Sequence, residues 1–222
     1  MVDVSGSVGA VGRQVQRDGY VAAFCDPGVA RAIRSGGVGR VLVTYVEWAG
    51  LREQRVVMPW TVVASATDAA QFADALARQP VGRGRSTSIS VALAFAARLF
   101  INSPVPAARR VIDISSDGPN NAGPPMTLAR DVLVASGVTI NGLPIDVSKT
   151  DNGPYSDPID RSYLDRYYEY CVIGGKGAFA IAAHDGASFD ATIRRKLVQE
   201  IADTGVAEHR GFAGCLSEGW RV

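Results

Sequence analysis

Asp3-Val4-Ser5-Gly6-Ser7 stands between a short apolar opening, residues 1–4, and a helical stretch over residues 8–24. A strand that breaks into a tight turn and then a helix is the first unit of an α/β sheet. Side chains alternate along an extended chain, so Asp3, Ser5 and Ser7 can all aim to one side as the strand ends. Gly6 permits the bend between the two serines. One carboxylate and two hydroxyls thus converge at the carboxyl end of the opening strand.

Strands and helices alternate through the rest of the chain. Asp26-Pro27 caps a short helix that runs to residue 33, with Pro27 at the first helical position. β-rich runs follow at residues 41–46 and 55–63. The turn between them makes a hairpin, and Pro59 suits the second run to a sheet edge. Thr67 is expected to cap a helix over residues 68–78. Further helices are expected over residues 88–100, 126–136, 163–171 and 188–203, and further strands over 110–116, 138–145 and 178–183. This order predicts an α/β fold: a doubly wound, mostly parallel six-stranded sheet with one antiparallel edge strand and helices on both faces. Ligands of such sheets bind beyond the carboxyl ends of the strands, where the strand order reverses. Residues 1–205 form the domain, and 206–222 a tail without a readable pattern.

The 222 residues are 47% hydrophobic and 20% charged, an ordinary globular balance with enough chain for one core. A formal net charge of +1 lacks the basic surplus that phosphate neutralisation requires, so no nucleic-acid partner is expected. No apolar run reaches the ~18 residues of a membrane span. The three cysteines, Cys25, Cys171 and Cys215, match no zinc pattern. Two readings stay open: one Cys171–Cys215 disulfide that leaves Cys25 over, or buried free thiols.

Two more segments share the address of the opening turn. Ser86-Thr87-Ser88-Ile89 leads into a helix, and Ser116-Asp117-Gly118 ends a strand. All three segments lie at one end of the sheet when the first and fourth strands are neighbours. Asp3, Ser5, Ser7, Thr87 and Asp117 are hard oxygen donors, which suit Mg²⁺, with Mn²⁺ or Ca²⁺ as alternatives, and disfavour zinc or copper. Each hydroxyl taken alone reads as a helix cap; the joint pattern reads as a metal site. Asp3-x-Ser5-x-Ser7, then Thr87 about eighty residues on, then Asp117-Gly118 about thirty further, resembles the metal-ion-dependent adhesion site of von Willebrand factor A domains. The resemblance implies that Ser5, Ser7 and Thr87 touch the metal and that Asp3 and Asp117 bind it directly or through water. It also implies that an acidic residue of a protein partner completes the shell. Ser116-Asp117-Gly118-Pro119-Asn120-Asn121, the block from Tyr167 to Gly175 and the Arg194-Arg195-Lys196-Leu197 helix are similar to a bacterial, mainly proteobacterial, family of uncharacterised A-like domains. Members of that family carry signal peptides.

The expected function is a divalent-metal-dependent binding or adhesion module and not an enzyme. Two other classes stay open: a phosphatase-like metal-dependent hydrolase, and a structural domain with a stabilising metal. Aspartyl phosphoryl transfer wants a second carboxylate two residues after Asp3, where Ser5 stands, and the chain has no P-loop. A central strand buried on both faces needs about five or six apolar residues, and only residues 1–4 precede Ser5. The expectation is therefore a truncated first strand, with the natural start and a signal peptide upstream. The protein is then periplasmic or secreted; otherwise it is cytoplasmic. Asp113, mid-strand, is expected to pair with an arginine and not to bind metal. Tyr163, Tyr167, Tyr168 and Tyr170 are expected to pack, and His184 and His209 to be incidental. Asp146, Asp151, Asp157 and Asp160 are expected to line a solvated loop. Arg83 and Arg85 flank Thr87, where they either draw an acidic partner to the metal face or form a solvated turn.

Overall fold

The strand Val41–Trp48 (β2) folds back on Gln54–Val63 (β3), and this antiparallel pair forms one side of a five-stranded sheet. In the computed structural model, residues 1–145, 161–184 and 189–202 are described. The opening strand, Val2–Asp3 (β1), lies between β2 and Arg110–Ser116 (β4), parallel to both. Val138–Pro144 (β5) completes the order β3-β2-β1-β4-β5. The order reverses at β1, so the carboxyl end of β1 is the switch point where ligands of such sheets bind. Val2 pairs with Glu47 on one side and Ser115 on the other, and Asp3 pairs with Trp48. Pro59 lies in β3, an edge strand, where a missing N–H costs no ladder bond.

Helices cover both faces. Gly9–Cys25 (α1), Pro27–Ser35 (α2) and Ala66–Ala77 (α3) pack on one face with Phe189–Ala202 (α7), around Phe24, Ile33, Phe72, Leu76, Phe189 and Ile193. Ile89–Ile101 (α4), Met126–Ala135 (α5) and Arg161–Tyr167 (α6) cover the other, where Trp48, Leu93, Ile114, Ile140 and Tyr168 form a second core. The turn Tyr168–Val172 that continues α6 is π-helical. Asp26 caps α2 as its sequence requires, its side chain accepting from Gly28 N at 2.7 Å. The cap of α3 is Ser65 and not Thr67. Ser65 Oγ accepts from Asp68 N (3.1 Å) and Asp68 Oδ2 accepts from Ala64 N (3.0 Å), a reciprocal pair that satisfies two backbone donors.

Among the described residues the sheet has five strands, not six. Residues 178–183 run beside β5 but meet it through isolated bridges, Gly142 with Ala180 and Ile145 with Ala183. Just upstream, Gly174 bridges Ile140 in the antiparallel sense, and Gly175 turns the chain in the left-handed region at φ 92°. Gly174 takes the edge of β5 only at Ile140, and residues 179–183 then bond to Gly142 and Pro144 through Gly142 N to Phe179 O, Ile181 N to Gly142 O and Ala183 N to Pro144 O, a contact too broken to make a continuous strand. Residues 206–222 lie outside the described residues.

Gly142 of β5 sits where no side chain fits. A methyl group there would overlap the buried Tyr168 ring and come within 3.0 Å of Ile173 Cγ2. Gly142→Ala is expected to lose about 1–3 kcal/mol through overpacking. Gly37→Ala meets nothing within 4 Å and serves as the control in urea unfolding of both variants.

Candidate metal centre

The three loops meet because β1 is flanked by β2 and β4. Val4 N donates to Trp48 O (2.9 Å) while Val4 O accepts from Gly84 N (2.8 Å), so the chain leaving β1 draws the segment before Thr87 over the sheet end. Ser88 N donates to Ala49 O at 2.8 Å and holds that segment to the β2–β3 turn. Asp117 follows the last residue of β4 directly.

Asp3 is fully buried. Its Oδ1 accepts from Ser5 N (2.7 Å) and its Oδ2 from Ser116 Oγ (2.6 Å). Ser5 Oγ and Ser7 Oγ lie 3.1 Å apart, and Ser7 Oγ donates to Asp117 Oδ1 at 2.8 Å. One chain of oxygens therefore links Ser5 and Ser7 to Asp117, beside the Asp3 carboxylate. Burial, and next the charge of Asp117, push the Asp3 carboxyl up from 3.8 to about 7, against the downward pull of its bonds from Ser116 and Ser5. None of the influences on Asp3 is a cation. A buried carboxylate beside a second one is an environment that a hard divalent cation fits. The described residues hold no cluster of three or more His, Cys, Asp or Glu side chains. The donor set here is instead two carboxylates with hydroxyls, which is oxygen throughout.

Thr87 is buried and joins this group through the loop after Asp117. Thr87 N donates to Asn121 Oδ1 and Thr87 O accepts from Asn121 N, both at 2.9 Å. Asn120 Oδ1 accepts from Ser90 N (3.0 Å) and Ser90 Oγ (3.1 Å), and Ser88 Oγ donates to Ala122 O (2.8 Å). Asn120 N in turn donates to Tyr167 Oη at 3.2 Å. Burial raises the Tyr167 phenol to about 12, so it stays neutral. The tyrosine cluster packs, and Tyr167 also buttresses the Asp117 loop.

Other expected residues fall elsewhere. Asp113 pairs with Lys196, not with an arginine, and accepts from Tyr20 Oη at 3.0 Å. Lys196 belongs to α7 and is buried despite its charge, because it reaches across to β4. His184 Nε2 lies 3.2 Å from Asp165 Oδ2, so it has an acidic partner that its sequence position conceals. Cys25 is a free and exposed thiol, not a buried one. Cys215, His209, Asp146, Asp151, Asp157 and Asp160 lie outside the described residues.

Several supporting residues have weak sequence signals. Glu47, the one charge in the apolar run of β2, is buried and pairs with Arg17 of α1 and, at 2.6 Å, with Arg55 of β3. Its Oε2 also accepts from Gly82 N at 2.9 Å, which anchors the loop that leads to Thr87. Gln16 of α1 donates to Asp3 O (3.1 Å) and accepts from Ser115 Oγ (2.8 Å), tying α1 to both strands under the site.

This sheet order, with its oxygen-lined switch point, is the fold of von Willebrand factor A domains. Proximal thread matrix protein 1 from the mussel byssus is 16% identical, with a TM-score of 0.58 over 90% of this chain and 46% of its own. The same mussel protein has been solved with a zinc-occupied metal-ion-dependent adhesion site, at 14% identity and a TM-score of 0.59 over 90% of this chain and 47% of its own. A von Willebrand factor type A protein from Catenulispora acidiphila is 17% identical, with a TM-score of 0.54 over 90% of this chain and 40% of its own. The pilus adhesin SpaC from Lactobacillus rhamnosus GG is 13% identical, with a TM-score of 0.60 over 90% of this chain and 30% of its own. The chain spans less than half the length of each of these structures. No curated protein matches its sequence. The profile of the family described as "Protein of unknown function (DUF1194)" matches residues 1–205, and the chain belongs to that family.

Two outcomes are expected of variants. Glu47→Ala leaves Arg17 buried without a counter-charge, and is expected to lose about 3–5 kcal/mol in urea unfolding. The second concerns pH. In chelator, the folded Asp3 carboxyl titrates at about 7, above its ordinary value of 3.8. The folded state therefore favours the protonated form. The stability this contributes is fully present below 3.8, is lost as the pH rises to about 7, and stays constant above. Asp3→Asn removes this component, so unfolding free energies of wild type minus variant should fall across that window. A flat difference would refute the assignment.

Proposed function

We propose that this domain is a divalent-metal-dependent binding module that recognises an acidic residue of a protein partner through Asp3, Ser5, Ser7, Thr87 and Asp117. The observation that carries the reading is the pair of carboxylates at the adjoining ends of β1 and β4, Asp3 fully buried, with Ser5 and Ser7 hydroxyls running to Asp117. Ser5, Ser7 and Thr87 would touch the ion, and Asp3 and Asp117 would bind it directly or through water. Once bound, the ion supplies a positive centre able to accept one further oxygen from outside. Mg²⁺ suits an all-oxygen set, with Mn²⁺ and Ca²⁺ as substitutes. The zinc-occupied site of the mussel protein and the adhesin role of SpaC support a divalent ion and a binding role for a site of this class.

The side chains favour binding over reaction. Ser5 and Ser7 bond to one another and to Asp117, and the single histidine among the described residues, His184, pairs with Asp165. Among the described residues, no imidazole stands beside these hydroxyls to activate one as a nucleophile.

Thermal unfolding with and without Mg²⁺, Mn²⁺ or Ca²⁺ tests the reading. A ligand at a hundred times its Kd stabilises the native state by about 2.7 kcal/mol. Wild type should show such a rise, and Asp3→Ala and Asp117→Ala should not. The absence of any metal-dependent rise in wild type would overturn the proposal.

A further inference from the structure

We infer that the partner presents two acidic groups, the first completing the metal shell and the second entering an arginine-lined cleft beside it. This rests on the metal-binding reading above. The cleft has a volume of about 380 Å³ and is lined by Gly6, Arg13, Glu53, Arg83, Gly84 and Arg85. Gly6 lies between the proposed ligands Ser5 and Ser7, and Arg85 lies two residues before Thr87, so the cleft shares its walls with the metal centre. A methyl group on Gly6 would stand 3.4 Å from Arg85 O, which shows how closely the two loops approach. Arg13 reaches back from α1, its Nη1 3.4 Å from Ser5 O.

These arginines are available. Arg83 and Arg85 are exposed, and none of the three forms an ion pair among the described residues. The single carboxylate of the cleft is already engaged, because Glu53 Oε2 accepts from Gly50 N (3.0 Å) and Arg85 N (3.3 Å). Charge then decides the ligand class. The metal centre itself is built around two carboxylates, Asp3 and Asp117. Three arginines against one glutamate leave a surplus beside it, and guanidinium forks match carboxylate oxygens in geometry.

The ligand favoured is a short acidic peptide segment and not a long polyanion. The cleft is small, and the whole chain carries only +1, whereas polyanion binding grows with the number of neutralised charges. The turn that supplies Glu53 also presents Leu51, 54% exposed and packed near Gly123 beyond the metal loop. An exposed apolar side chain on the turn that also lines the cleft suits a peptide.

Synthetic peptides carrying one aspartate, or two at varied spacing, test this on the full chain by fluorescence anisotropy in Mn²⁺. Heparin and oligothymidine are the polyanion arms. An exposed ion pair contributes up to about fivefold, so the best paired peptide should bind about fivefold tighter than the single one. The advantage should vanish in the Arg83→Gln/Arg85→Gln double variant while the Mn²⁺-induced rise in Tm persists. Equal binding of the two peptides, binding of neither, an advantage that survives the double variant, or tighter binding of heparin or oligothymidine each overturns the inference and leaves the metal reading standing. Loss of the Mn²⁺ rise in wild type removes both.

Discussion

Asp3 carries its carboxylate fully buried, at the end of a strand enclosed by β2 and β4. Such a group has to be compensated locally, and the surroundings are organised to that end. Ser5 turns its backbone N–H back onto Oδ1, and Ser116 donates its hydroxyl to Oδ2. Even so, burial and the nearby Asp117 outweigh these bonds and hold the acid far above its ordinary range. The residual demand for positive charge at this point separates the site from a plain polar turn, and the proposed metal role follows from it.

A second buried charge sets the shape of the rim. Glu47 lies one residue before the end of β2, pairs with Arg17 and Arg55, and accepts from Gly82 N. The pair with Arg17 ties α1 to the sheet, and the bond from Gly82 ties the loop before Thr87 to the same carboxylate. Arg17 Nη1 also donates to Leu76 O and Gln79 O at the end of α3. Removing one partner of such a network exposes the others to an uncompensated interior, which makes it costly to break. The loop carrying Arg83 and Arg85 thus hangs from a fixed point, and the cleft beside the metal centre inherits that rigidity.

How much of this was legible depends on what kind of signal each residue leaves. The strand over residues 110–116 was readable to the residue, because an apolar run ends at a dense turn cluster. The alternation of strands and helices implied a mostly parallel sheet but not its order, and the place of β1 between β2 and β4 came only with the sheet itself. Ser65 was hidden by Thr67, since two hydroxyls compete for one cap and only the three-dimensional turn selects between them. Lys196 reads as a solvent-facing charge within a basic stretch, yet its partner Asp113 comes from a strand far away in sequence. Glu47 looks like a stray charge in an apolar run until Arg17 and Arg55 are set beside it. The sixth strand failed because periodicity reports what a segment could pair with, and not how continuously it will meet the edge, which here is through isolated bridges.

The π-helical turn at Tyr168–Val172 has a consequence for how this domain tolerates change. It lets two adjacent tyrosines serve different ends of the structure: Tyr167 accepts from Asn120 N in the Asp117 loop, while Tyr168 fills the space that Gly142 leaves beneath it. A π turn holds one more residue than an α turn in the same span. Deleting a single residue after Tyr168 would restore ordinary helical pitch and leave the residues on either side facing much as they do now. Loss of Tyr168 itself would instead empty the space beside Gly142. The turn can thus change length downstream of Tyr168 but not at it, where the Asp117 loop and the gap over Gly142 draw on adjacent side chains.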